Sequence, residues 1–292
     1  MQTCPRELIQ AIFCWIPFRH VQSYRLLCRS ISECLNDVHF ATLNLRVGDN
    51  DDEEDNDETR CFMPGYLQHN RWMEWPEAYQ VAYAGLVADS TSKWIFHCCH
   101  QQRMFRLPVA VSRLYNLREI WIEDVPSLKG ELPTELGQLQ HLEWLVLSKT
   151  GLTGSIPHEI QNCISLRHLD LSNSYYSGEL PMRWESLISL EILNLSYCRF
   201  EGSIPSSIGS LSKLRRLYLS GNLFSGSIPC SLGSLKLLQE LDLSWNLLEG
   251  NIPRELETLQ NLVKLDLSGN ERLVGLVAPT AFPKIKTLKL LV

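Results

Sequence analysis

The chain has 292 residues, with 27 lysines and arginines against 33 aspartates and glutamates, and a formal charge of −6. Eight of those acids fall between Asp49 and Glu58, so the remainder carries a near-neutral +2. No basic stripe points to nucleic acid or to an anionic membrane surface, and no apolar run approaches the roughly 20 residues that span a bilayer.

The first predicted elements are two short amphipathic helices. Pro5 opens one, and Leu8, Ile9, Ile12, Phe13 and Ile16 form a single apolar stripe along it. Pro17 ends that helix. Val21, Tyr24, Leu27, Cys28 and Ile31 then share one face of the next run. The order PxELIxxIFxxIPxxxVxxYRLLCRxI resembles the F-box, with Cys4 in place of the usual leucine and Ile31 where an aromatic is common. That resemblance implies a small all-α, three-helix module over residues 3–42. It also implies docking on the Skp-type adaptor of a cullin-type ubiquitin ligase through Pro5, Leu8, Ile9, Ile12, Phe13, Ile16, Pro17 and Val21. The alternative is a helical cap that packs on the rest of its own chain.

Residues 46–62 follow as an acidic stretch with almost no apolar content, which reads as a disordered loop. Residues 63–106 are aromatic, with Tyr66, Trp72, Trp75, Tyr79, Tyr83, Trp94 and Phe96. A helix is predicted over 76–87 and an irregular strand over 94–98. Large side chains here suit a cap over an open coil end better than a ligand cage.

From 107 to 292 one sentence of 24 residues repeats, clearest as LSKLRRLYLSGNLFSGSIPCSLGS from Leu211 to Ser234. Its opening slot holds Leu139, Cys163, Leu187, Leu211, Leu235 and Leu259, with Leu114 ahead of them. A fixed period with the pattern LxxLxxLxLxxN marks a leucine-rich-repeat solenoid. Leu214, Leu217 and Leu219 have the spacing that buries strand side chains, while the residues between them alternate outward. Stacked coils would pair these strands into a parallel sheet lining a concave face. Asn222, Asn246 and Asn270 stand where a buried amide can bond turning backbone, and Thr150, Ser174 and Cys198 hold the same slot earlier. Each coil then reads Gly-x-(Ile/Leu)-Pro, as in Gly226 to Pro229, which bends the chain. The Leu-Gly pair after it, as at Leu232-Gly233, predicts a short helical turn ending at the glycine.

This stretch resembles the plant-type leucine-rich repeat, LxxLxxLxLxxNxLxGxIPxxLGx. The resemblance implies an α/β repeat solenoid wound as a right-handed superhelix, with short parallel strands, 3-10 turns and a second small sheet.

No catalytic chemistry is predicted, and no cofactor or metal. His168, Asp170 and Ser172 lie on one strand face, but two strand residues advance about 6.6 Å, too far for a hydrogen-bonded triad. Asp242 and Asp266 should stack on neighbouring strands beside Lys264, which favours charge compensation over a metal site. The outward slots Trp121, Trp144, His168, Asp170, Asn194, Tyr197, Arg215, Arg216, Tyr218, Asp242, Trp245 and Asp266 are the candidate protein-binding face, since exposed aromatics and arginines are enriched in hot spots.

The combined reading is an adaptor that recruits a ligase core through its first helices and holds an unknown protein substrate on the repeats. The rival reading is a ligand-binding or signalling repeat protein, receptor-like or inhibitor-like, without any ligase. Ten cysteines without a CxxC pair, and no apolar leader, predict a reducing intracellular compartment. The coil begun by Phe282, Ile285, Leu288 and Leu290 has no polar cap in the sequence, which predicts an open edge free to pair with another molecule.

Overall fold

The computed structural model describes residues 77–97, 104–275 and 278–290. The F-box-like segment 3–42, with all eight of its adaptor-contact residues, and the acidic stretch 46–62 lie outside the described residues.

The described chain is a stack of coils, most of them built from two short strands and a 3-10 turn. One strand per coil enters a nine-stranded parallel sheet that runs in chain order from Lys93–His97 through Glu119–Glu123 to Thr287–Lys289. The other enters a seven-stranded sheet from Val125–Gly130 to Arg272–Val274. Register is strict: Leu193, Leu217, Leu241 and Leu265 pair in one row, all fully buried. The period of the sequence is therefore the period of the sheet, and a one-residue slip would turn this row to solvent.

Helix α1, Glu77–Val87, and the strand Lys93–His97 occupy the places predicted for them, and the strand pairs regularly with Glu119–Glu123 over five positions. The sheet thus starts ahead of residue 107. Tyr79, Tyr83, Trp94 and Phe96 are buried in the same core as the repeat leucines.

The asparagine column works as its chemistry requires. Asn246 donates from Nδ2 to the Leu219 and Leu243 carbonyls at 2.9 and 3.1 Å, and its Oδ1 accepts the Phe224 amide at 3.1 Å. Asn222 and Asn270 repeat the pattern. In the same column Cys198 donates its thiol to the Leu171 carbonyl. Behind it Tyr176, Phe200 and Phe224 stack as a buried spine, with centroids 6.2 and 6.3 Å apart.

The bend glycines Gly130, Gly154, Gly178, Gly202, Gly226 and Gly250 all have positive φ, as their slot demands. The Leu-Gly glycines differ from expectation. Gly233 sits inside the 3-10 turn Cys230–Ser234 rather than ending it. Its role is close approach: a Cβ there would stand 2.4 Å from the Glu255 carbonyl oxygen of the next coil. Gly137 and Gly209 face Glu159 and Ser231 in the same way. The coil after Gln161 has no 3-10 turn, and there the indole of Trp184 is fully buried.

Among the described residues no helix is long and apolar enough to cross a membrane.

Candidate functional site

The outward rows of the nine-stranded sheet fall into two halves of different chemistry. Towards the N-terminal end, Trp121 and Trp144 stack with centroids 6.3 Å apart and planes 18° from parallel. The His168 ring follows at 4.8 Å from Trp144. The column crosses three successive strands because Trp144 and His168 are direct register partners and Trp121 lies diagonally from Trp144. All three rings are half-buried. Ile192 extends the row beyond His168. Val146, which alternation places outward, is buried instead.

Burial pushes the His168 imidazole below its ordinary pKa; Asp170 opposes the shift and Arg216 reinforces it. Its Nδ1 is buried without a hydrogen-bond partner. Asp170 instead accepts the Ser172 hydroxyl at 2.7 Å and the Asn194 amide at 2.9 Å. His168, Asp170 and Ser172 therefore form no triad. The Ser–Asp pair is a repeat device, present again at Ser244–Asp242 and Ser268–Asp266, each 2.6 Å.

Towards the C-terminal end the outward residues are charged and satisfy one another. Arg216 pairs with Glu240 at 3.4 Å, Lys264 with Asp242 at 2.8 Å and Lys289 with Asp266 at 3.1 Å. Arg215 reaches Glu191 at 3.9 Å, which also holds Arg167 at 2.6 Å. Burial works against the charge on Lys264, but the Asp242 hydrogen bond together with the charges of Asp242, Asp266 and Glu240 outweighs it and holds the ammonium pKa above its ordinary value. Burial likewise opposes ionisation of Asp266, and Ser268 with Lys289 overrides it, so that carboxyl lies below the usual range. Asp242 and Asp266 are buried, which corrects their placement on the partner-facing surface: alternation points them outward, but the serine two residues on and the neighbouring lysine draw them in. Tyr218 is similarly committed. Its hydroxyl donates to Glu240 at 2.6 Å and Lys264 covers its ring at 6.0 Å.

Tyr197 and Trp245 stand on the rim just past the strands and are 59% and 67% exposed. Both adopt φ of 55°, the left-handed region that favours glycine. Each ring lies against the glycine of the next coil in the same slot, Gly221 and Gly269. That φ follows from the sharp exit of the chain from each strand, a feature shared by Lys149 and Asn173. Sequence alternation placed these residues on the surface without revealing their strain.

Burial pushes the thiols of the core residue Cys163 and the half-buried Cys198 up to about 12 and about 11. Among the described residues, no group of three or more His, Cys, Asp or Glu could hold a metal ion.

Comparison with known proteins adds the following. A family described as a leucine-rich repeat region matches residues 154–275, and a leucine-rich repeat matches residues 141–163. No curated protein is similar enough in sequence to count as a relative. Among solved structures, the chain is similar to PEPR1 with AtPEP1, at 31% identity and a TM-score of 0.63 over 68% of this chain and 28% of that one. The plant peptide hormone receptor RGFR1 in complex with RGF2 shares 28% identity at a TM-score of 0.59, over 73% of this chain and 37% of that one. A plant ice-binding protein shares 29% identity at a TM-score of 0.60, over 67% of this chain and 63% of that one. The chain therefore spans less than two thirds of each of these three structures. It carries a leucine-rich repeat region of the plant type, folded as a solenoid of short parallel strands and 3-10 turns.

Proposed function

We propose that this leucine-rich-repeat chain is a binding module without bond-making chemistry of its own, holding a peptide or protein against the aromatic half of its nine-stranded sheet. One observation carries the reading. Trp121, Trp144 and His168 form a continuous, half-open aromatic column, while the charged residues beyond it are paired among themselves. Aromatic side chains on a rigid sheet bring large contact area at low entropic cost, the chemistry of a hot spot. Self-paired charges offer a partner little, because replacing an existing ion pair gains almost nothing at a solvated surface. The likeness to peptide-bound plant receptors supports a peptide as the class of ligand.

The test is capture of interacting peptides or proteins by the full chain, repeated with Trp121→Ala and Trp144→Ala together. Loss of at least about 2 kcal/mol of affinity is expected, in the range of paired hot spots. Partners held equally by both forms would sink the proposal.

A second reading concerns the first helices and rests on the PxELIxxIFxxIP pattern alone. In it the repeats present an intracellular substrate to a cullin-type ligase bound through the Skp adaptor. Co-purification with Skp, abolished by Ile12→Asp with Phe13→Asp, would support it. No co-purification from the unmodified chain would remove it and leave the binding module standing.

A further inference from the structure

The seven-stranded sheet carries a charge arrangement that the nine-stranded sheet lacks. Lys129 pairs in register with Gly151, and Tyr175 and Arg199 follow on the next two strands, Tyr175–Glu179 and Arg199–Ser203. Gly151 has no side chain to hold its neighbours apart; a Cβ there would lie 2.5 Å from Lys129 Nζ. Lys129 therefore crosses that glycine and brings its ammonium within 5.7 Å of the Tyr175 ring centre. From the opposite side the Arg199 guanidinium stands 5.4 Å from the same ring. Cations held over an aromatic face are attracted by its quadrupole and lose some of their freedom.

Two like charges are thus gathered around one half-exposed phenol, and among the described residues no acid closes either of them. Neither Lys129 nor Arg199 takes part in any ion pair of the described residues. The contrast with the other sheet is direct, since there the cation over Tyr218 is closed by Asp242 at 2.8 Å. Glu179 and Glu201 stand on the same two strands as Tyr175 and Arg199, yet pair with neither cation. Around the ring lies a shallow cavity of about 410 Å³ lined by Lys129, Gly151, Thr153, Tyr175, Ser177 and Arg199. Its side chains supply an ammonium, a guanidinium, a phenol and two hydroxyls, and no carboxylate.

We propose that this depression binds an acidic peptide segment, with Lys129 and Arg199 each taking a carboxylate on either side of Tyr175. Charge-assisted hydrogen bonds from the two cations would carry the recognition, the guanidinium in bidentate fashion. A peptide suits the site because Lys129 and Arg199 come from strands on either side of the Tyr175 strand, with the Thr153 and Ser177 hydroxyls in the same depression. Two acidic residues two apart on an extended chain, about 7 Å, would offer one carboxylate to each cation. The site is on the second sheet and is independent of the aromatic column proposed above.

The experiment titrates the full chain into a labelled extended peptide with alternating aspartates, its asparagine counterpart, and inorganic phosphate as competitor, at low and high salt. Binding of the aspartate peptide alone, weakened by salt, is expected. Arg199→Ala should weaken it at least tenfold, Arg199→Lys less, and Lys129→Ala with Arg199→Ala should abolish it without shifting the melting temperature. Trp121→Ala with Trp144→Ala should leave it unchanged, which separates this site from the other. Equal binding of the aspartate peptide by the double variant overturns the proposal. So does tight, Arg199-dependent phosphate binding without peptide binding, which would assign the cluster to a free anion.

Discussion

Gly233 and Glu255 lie so close across adjoining coils that a Cβ on the glycine would stand 2.4 Å from the glutamate carbonyl oxygen. The contact is backbone against backbone, so no side chain can move aside to admit a methyl group. Gly233→Ala should therefore cost about 1 to 3 kcal/mol, the usual range for overpacking a tight site. Gly226→Ala makes the control. Gly226 has a φ of +73° with only Ser203 Cβ nearby at 3.9 Å, so its cost is the left-handed strain alone, about 1 kcal/mol. Urea denaturation of both variants separates the two; equal costs would show that coil spacing relaxes freely.

Removing Asn246 leaves the buried Phe224 amide without its acceptor. The Leu219 and Leu243 carbonyls each lose one donor but keep the Asn222 and Asn270 amides. Asn246→Ala should cost about 1 to 3 kcal/mol, the range for one orphaned buried group. Asn246→Thr should cost less, because Thr150 fills the same column and donates to the Leu147 carbonyl. A threonine variant as unstable as the alanine one would mean that the column does not tolerate a hydroxyl here.

The period of 24 made the strands, the buried leucine rows and the asparagine column readable from sequence, because each is imposed by the same backbone geometry in every coil. Side-chain commitment was readable only in part. Charge compensation by Lys264 followed from the stacked aspartates and is seen at Asp242, but alternation cannot show that Lys289 and Glu240 on the next strands engage Asp266 and Tyr218. The Lys129–Tyr175–Arg199 cluster was missed for a related reason. Strands of the seven-stranded sheet pair residues out of the 24-residue phase, Lys129 with Gly151, Thr153 with Tyr175 and Ser177 with Arg199, so the repeat alone does not show which side chains meet there.

The His168 imidazole is held below its ordinary pKa chiefly by burial. From about pH 6.5 downward the unfolded chain takes up a proton that the folded chain refuses. Stability should therefore be intact above that pH and fall as the pH drops towards the folded pKa. His168→Phe should flatten this part of the profile while keeping the ring contact with Trp144, 4.8 Å away. Chemical denaturation across that range checks it; parallel profiles for the two proteins would show that His168 protonates without cost.

Trp245 combines two features that a stable surface would avoid: 67% exposure and a φ of 55°. A bulky residue in the left-handed region costs on the order of 1 kcal/mol or more. Asparagine accepts that conformation readily, as Asn173 does in the same slot at a φ of 56°. The indole recovers part of the cost by covering Gly269. Trp245→Asn should therefore raise the melting temperature or leave it level, the relief of strain offsetting the lost contact. If the rim takes part in binding, the same variant should weaken partner capture by about 1 to 2 kcal/mol, the scale of an aromatic hot spot. A variant that is both less stable and unchanged in binding would make Trp245 a packing residue, its strain repaid entirely by the glycine beneath it.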